Sequence, residues 1–417
     1  MSRQRPYYER VPDLFVSAFA TPLINQELHD GDATDSMRIL YVAMRYDYGF
    51  PERGPSFEHY NFYECLTRMG VQVDYFDFMS IMNEVGKERM NELLFRQVEE
   101  TKPDVMFTCI FKGEIEPETL RRITERTETT TVNWFCDDHW RFDNFSKFYA
   151  PCFDWVTTTA KSALPKYDAS GFRNVIKTQW ACNPFIYRRL SLPLTYDMTF
   201  IGQPHGDRKA VVDCVRHAGL DIQTWGNGWK NGRISQDNMI RVFNQSRINL
   251  NLSNASVVPQ YRIDLGRRGR TTMAALSKLP GGWIVKKFVC NNVLPLIAPS
   301  KPDDSVRSNE QIKGRNFEVP GCGGFMLTGE AEDLASYYTP GKEIACFRTT
   351  EELIELASYY LDNEVERQEV ALRGYERTLH EHTYIHRFAE IFERIGHPLE
   401  RTAAEMLQTL PTSEMTV

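Results

Sequence analysis

No stretch of this sequence approaches the roughly 18 uninterrupted apolar residues that a membrane-spanning helix needs. The nearest imitation of a secretion signal, LFVSAFATPLI at Leu14 to Ile24, follows mixed charge and is interrupted by Pro22, so a cytoplasmic protein is expected. A cysteine framework is missing too. The nine cysteines fall singly, at 65, 109, 136, 152, 182, 214, 290, 322 and 346, with no C-x-x-C pair. That spacing argues against a structural zinc site or a disulfide scaffold and reads as reduced, mostly buried thiols. Nor is there an excess of positive charge: the net charge of −7 argues against a surface given over wholly to nucleic acid, while leaving room for a local basic patch.

What is present is globular. A hydrophobic content of 42% beside 25% charged residues is enough to build cores without the charge excess of a disordered chain. At 417 residues the chain is too long for one comfortable core, so two domains are expected.

Residues 1–36 are punctuated by proline, lack a clear period and read as an arm. MRILYVAM, from Met37 to Met44, is a continuous apolar run of strand length, as in a strand buried on both faces of a parallel sheet. The loop RYDYGFPERGPS follows, and then a helix with Phe57, Phe62, Leu66 and Met69 at helical spacing, stopped by Gly70. Strands and helices alternate onward through VQVDYFDF, DVMFTCIF, TTVNWFCDD and DWVTTTA. Such alternation gives a doubly wound parallel sheet. A proline-containing segment, Ala181 to Tyr196, reads as a crossing, after which DMTFIGQPHGDRKAVVDCVRHAG restarts the pattern. The expected fold class is therefore α/β, with two Rossmann-like doubly wound domains, 37–185 and 196–380, facing a cleft, and a carboxyl-terminal helix and tail at 381–417. Ligands of such sheets bind at the carboxyl ends of the strands, which places the chemistry between the domains.

In EQIKGRNFEVPGCGGFMLTGE, a helix from Gln311 to about Cys322 would set Gln311, Arg315, Glu318 and Cys322 on one stripe. A carboxylate there can accept two ribose hydroxyls while cations neutralise a diphosphate. The plainer alternative keeps Glu310 in the helix's first turn for the dipole and makes Arg315 with Glu318 a surface pair.

The motifs WFCDDHWRFDNFS, KYDASGFRNV, QIKGRNFEVPGCGGFMLT, YYTPGKEIACF and YYLDNEVERQEVALRGYERTLHEHTYIHRF, in this order along the chain, resemble the CgeB/YkvP spore-protein family of glycosyltransferases. Glu310 and Glu318 also resemble the E-x7-E pair of retaining GT-B enzymes. The likeness runs from about Met37 to about Ile395 and implies a GT-B fold with a nucleotide-diphosphate-sugar donor held by the second domain. By that resemblance Glu318 would bind the donor ribose, Lys313 and Arg315 would approach the diphosphate, and Gly323 and Gly324 would let backbone approach the leaving phosphate. Two departures stand out: residues 254–309 look like an insertion before the donor helix, and the first glutamate of the pair, here Glu310, is often absent in the family.

Arg208 follows the turn of FIGQPHGDRK at a helix start and is a further phosphate candidate; Lys342 in PGKE is another, with a surface lysine as the bland reading. For the acceptor's proton, His59 and Asp138 are the candidate bases, with Asp137 and His139 beside Asp138 on the cleft side; the alternatives are capping or packing for His59 and loop capping for Asp137 and Asp138. GT-B enzymes generally stabilise the leaving diphosphate with bases and helix dipoles, so no metal and no cofactor are expected. His380, His382 and His386 read as packing at a helix end. The segment from Asn254 to Lys301 carries eight basic residues against Asp264 alone. It suits an anionic, nucleic or lipid-linked acceptor, or equally a solvated helical hairpin. The expected function is glycosyl transfer from a nucleotide-sugar to an unidentified acceptor. A GT-B-fold sugar-nucleotide epimerase and a non-catalytic nucleotide-sugar-binding protein are the rivals.

Overall fold

The computed structural model describes residues 37–253 and 310–408. The expected arm at 1–36, the insertion at 254–309 with its basic segment, and residues 409–417 lie outside the described residues.

Two wholly parallel sheets carry the architecture. The first has the order β2-β1-β3-β4-β5-β6 and the second β11-β10-β9-β7-β8. In the first, β1 is Arg38–Val42, β2 Gln72–Phe76, β3 Val105–Thr108, β4 Thr130–Phe135, β5 Trp155–Thr158 and β6 Val175–Lys177. In the second, β7 is Tyr196–Ile201, β8 Ile222–Trp225, β9 Ser246–Asn251, β10 Met326–Gly329 and β11 Ala345–Phe347. The unbroken apolar run of β1 has a simple cause. Leu40 and Val42 enter a core with Leu94, Phe95 and Leu120, whereas Ile39 and Tyr41 point to the opposite core with Phe62, Leu66 and Phe388. Both faces are covered past the exposed Arg38, so no later position along the strand is left for a charged residue.

The helix after the Gly-Pro loop begins with a side-chain cap. Ser56 Oγ donates to the Met44 carbonyl at 2.7 Å and accepts from the His59 amide at 3.0 Å. A π-helical turn, His59–Tyr63, then leads into helix Glu64–Arg68. This start lies beside the carboxyl end of β1, so the side chains of its first turn sit at the cleft.

The expected helix over Gln311 to Cys322 is shorter than its pattern suggests and spans Arg315–Gly321. Its onset is delayed because the Gln311 amide donates to Ser253 carbonyl at 3.0 Å, tying this segment to the chain beyond β9. The Lys313 amide donates to Asn316 Oδ1 at 2.9 Å, which caps the turn. Neither Glu310 nor Gln311 is in the helix. Pro320 falls in its last turn, where no hydrogen bond is lost mid-helix.

The chain crosses between the two sheets twice, and the crossings pair with each other. Cys182 amide donates to His382 carbonyl and Tyr384 amide to Cys182 carbonyl, each at 2.9 Å. Beyond this second crossing, helix Tyr384–Arg394 packs on the first sheet, where Phe388 meets Phe107 at a ring separation of 5.6 Å. Its start explains HEHTYIH: Thr383 and His386 form a capping box, with Oγ1 and Nδ1 2.8 Å apart. Among the described residues no helix is long and apolar enough to cross a membrane.

Candidate active site

The carboxyl ends of the two sheets face each other and are latched at one edge. His139 Nε2, beyond β4, lies 3.2 Å from Glu332 Oε2, beyond β10. Lys177 Nζ at the end of β6 lies 3.4 Å from Asp333 Oδ2. Between the sheets is a cavity of about 310 Å³ lined from the first domain by Ser56, Phe57, Glu58, Cys109, Cys136, Asp137 and Arg141, and from the second by Gln311, Lys313 and Gly314. Gln311 Nε2 donates to Asp137 Oδ1 at 3.0 Å across it, while Gln311 Oε1 is buried without a hydrogen-bond partner. A neighbouring cavity of about 550 Å³ shares Phe57 and is lined by Gly202, Gln203, Tyr187, Gln236 and Arg315.

The electrostatics of the first cavity are those of an anion site on one wall and an acidic site on the other. Burial pulls the Lys313 ammonium down to about 8, with Asp137 opposing and Arg208 reinforcing the shift. Burial likewise lowers Arg208 to about 10. The Arg208 guanidinium is aimed by donating to the Leu252 carbonyl at 3.1 Å and the Gln203 carbonyl at 3.3 Å, at the carboxyl ends of β9 and β7. Two cations crowded away from water are stabilised by a multiply charged anion. On the opposite wall, burial raises the Glu58 carboxyl.

A model of a glycosyl transferase-like family matches residues 291–393, the stretch holding Lys313, Glu318 and the second crossing. Spore protein CgeB of Bacillus subtilis (strain 168) is 20% identical over 290 residues, covering 69% of this chain and 81% of the relative. Solved structures match nearly end to end. Sucrose-phosphate synthase from Thermosynechococcus elongatus superposes with a TM-score of 0.52 at 10% identity, covering 89% of this chain and 98% of that one. HepE of Anabaena, solved in complex with UDP and glucose, gives 0.52 at 9% identity over 86% and 99% of the two chains. A glycosyltransferase from Rickettsia africae gives 0.51 at 7% identity over 87% and 99%. The chain is similar to CgeB and has a GT-B fold.

In the CgeB-like chain the expected site residues divide. Lys313 lines the first cavity, while Arg208 lines neither described cavity and is buried at the carboxyl ends of β7 and β9. Arg315 lines the second cavity, but its guanidinium is paired with the Glu318 carboxylate, which also accepts from Tyr187 Oη at 2.7 Å. Glu318 has no exposed surface and both its oxygens are engaged, by Tyr187 and Arg315. Gly323 and Gly324 stand at the far end of the helix from Lys313. Gly323 has φ +69°, closes the helix by donating to Pro320 carbonyl at 2.7 Å, and a Cβ there would come within 2.7 Å of Arg189. Gly324 packs on Asn249, where a Cβ would lie 2.8 Å from the side-chain nitrogen. Their smallness serves helix packing on the sheet. Glu310 is partly buried at a bridge position just before Gln311, and Lys342 is exposed.

Both candidate bases are displaced from the cavity by one residue. A helical step turns consecutive side chains by about 100°. Glu58 therefore faces the cavity, while His59 turns behind the helix, its ring stacked 5.1 Å from Tyr63 and its Nε2 3.6 Å from Glu64 Oε1. Burial lowers the His59 imidazole. Asp138 is 1% exposed and accepts from Tyr167 Oη at 2.7 Å and from Ser146 Oγ, which makes it a buried anchor; its neighbour Asp137 lines the cavity. Sequence reasoning also passed over Cys109 and Cys136. Their signal is positional: each is the first residue after a neighbouring strand, β3 or β4.

Proposed function

We propose that the CgeB-like chain transfers a glycosyl group from a nucleotide-diphosphate-sugar to a hydroxyl of an acceptor bound in the cleft. The observation that carries this reading is the Lys313 ammonium, lowered to about 8 by burial and set in the inter-sheet cavity opposite Asp137, with Arg208 behind it. In this reading Lys313 and Arg208 neutralise the diphosphate as it leaves, and their charge counts for most in the transition state, where the leaving oxygen gains charge. Asp137 occupies the acceptor wall, oriented by the Gln311 amide, and takes the acceptor's proton. Glu318 acts at one remove, holding Arg315 and Tyr187 as the floor. The fold neighbour solved with UDP and glucose supports a uridine nucleotide as the first donor to try.

The test pairs binding with product analysis. One nucleoside diphosphate should raise the melting temperature, since a ligand at 100 times its Kd adds about 2.7 kcal/mol to the folded state. Lys313→Met should remove most of that gain. Incubation with the matching sugar-nucleotide and candidate acceptors, followed by anomeric NMR, should show a new glycoside and not an isomerised donor. If no nucleoside diphosphate shifts the melting temperature, or Lys313→Met keeps the full shift, the reading fails.

A further inference from the structure

Glu58 Oε, Cys109 Sγ and Cys136 Sγ lie within 4.8 Å of one another on the acceptor wall of the cavity. The two sulfurs are 3.8 Å apart. Two thiolates bound at about 2.3 Å to one tetrahedral ion stand about 3.8 Å apart, so the pair already has the edge length such an ion requires. We propose that Glu58, Cys109 and Cys136 hold a thiophilic divalent cation, zinc by preference, with its remaining coordination position open to the cleft.

The frame supports this assignment. β3 and β4 are hydrogen-bonded neighbours, and each cysteine is the residue directly after its strand. Cys109 amide donates to Val42 carbonyl at 3.0 Å, and Cys136 carbonyl accepts from Thr159 Oγ1 at 2.9 Å, so the thiols project from a fixed edge. Glu58 is fixed from the other side by the Ser56 cap of its helix. No described ion pair includes Glu58, so its half-buried carboxylate has no cation to balance it among the described residues. The nearest cation on the same wall, Arg141, donates to Phe111 carbonyl at 2.5 Å and stacks on Phe145 at 4.1 Å. Soft sulfur ligands favour zinc over magnesium or calcium. Three protein ligands with a fourth position left open are the arrangement of a catalytic ion. On binding, each thiol releases its proton to solvent and forms one sulfur–metal bond. Where the glycosyl-transfer reading holds, the open position is that of the acceptor hydroxyl, whose proton a bound cation makes easier to remove.

The full chain, stripped with a chelator under reducing conditions, is titrated with Co²⁺ alone. One equivalent should bring a thiolate-to-cobalt charge-transfer band in the near ultraviolet and the strong visible bands of a four-coordinate ion, with Zn²⁺ displacing both. The paired substitution Cys109→Ser with Cys136→Ser should abolish the charge-transfer band. Glu58→Gln should keep the band and weaken cobalt binding at least tenfold, which also serves if the cysteine variant does not fold. Cys214→Ser, at an exposed thiol, should change nothing. A six-coordinate spectrum without charge transfer, an unchanged band in the cysteine variant, or a Cys109–Cys136 disulfide that forms as readily with zinc present as without would overturn the proposal. Loss of the cobalt signal would leave nucleotide binding at Lys313 untouched, so the two readings fail separately.

Discussion

Gln311 and Asp137 are 174 positions apart in the chain and meet across the cleft, Nε2 to Oδ1 at 3.0 Å. The contact joins the segment that carries Lys313 to the carboxyl end of β4. It sets the proposed base opposite the proposed diphosphate site, and it separates Asp137 from its buried neighbour.

That separation predicts opposite phenotypes at adjacent residues. Asp137→Asn should lower kcat by two or more orders of magnitude, with the melting temperature and donor affinity nearly intact. Asp138→Ala should instead strand the Tyr167 hydroxyl and Ser146 in the interior, costing about 1–3 kcal/mol for each buried group left unpaired. Denaturant titration and steady-state rates on both variants check this. A stable Asp138→Ala protein without turnover would return the catalytic role to Asp138.

Glu318 carries a sharper test. Its carboxylate is the sole ion-pair partner described for Arg315, and removing one member of a buried pair typically costs about 3–5 kcal/mol. Glu318→Ala is therefore expected to lose stability first, with Tyr187→Phe losing about 1.5–3 kcal/mol through the other carboxylate oxygen. Were Glu318→Ala to keep its unfolding midpoint while losing affinity for both the nucleoside and its diphosphate, the carboxylate would belong to the ribose after all.

Donor binding should depend on pH through Lys313. An anion favours the charged ammonium, which the empty protein holds only below about 8. Above that pH, binding must first take up a proton, so the Kd for a nucleoside diphosphate should rise by up to about tenfold per pH unit. Calorimetry in two buffers of different ionisation enthalpy would show the uptake. A Kd flat from neutral pH to well above 8 would place Lys313 outside the diphosphate contact.

Acid should act through the second crossing. Burial lowers His382 to about 4, and Arg387 adds to the shift. His382 Nε2 lies 2.6 Å from Tyr337 carbonyl, to which it donates, leaving Nδ1 to face Arg387 at 3.4 Å. The folded pKa is below the unfolded value of about 6.5, so this contribution is fully present above 6.5 and is lost as pH falls from there toward 4. The loss should reach about 2–3 kcal/mol for this one group. His382→Gln should flatten that limb of the stability profile, and an unchanged limb would assign acid sensitivity to other groups.

The sequence by itself determined the layered architecture, because the signals were local and repeated. A strand with a continuous apolar run after its first residue requires cover on both faces, and strands alternating with helices leave a parallel sheet as the economical arrangement. The stretch HEHTYIH was equally legible as a helix end, though the capping pair of Thr383 with His386 was not. The site was half legible. Arg208 was a candidate from the glycine turn after a strand, and Lys313 from the family resemblance. Only the tertiary structure decided which of two adjacent residues turns inward. Glu58 and His59, like Asp137 and Asp138, differ by one backbone step, and the direction of each side chain is set by the surface its segment packs upon. The same holds for Glu318: its pair with Arg315 is local and legible, but Tyr187 comes from 131 positions away, and no local spacing reveals that the carboxylate is fully buried between the two.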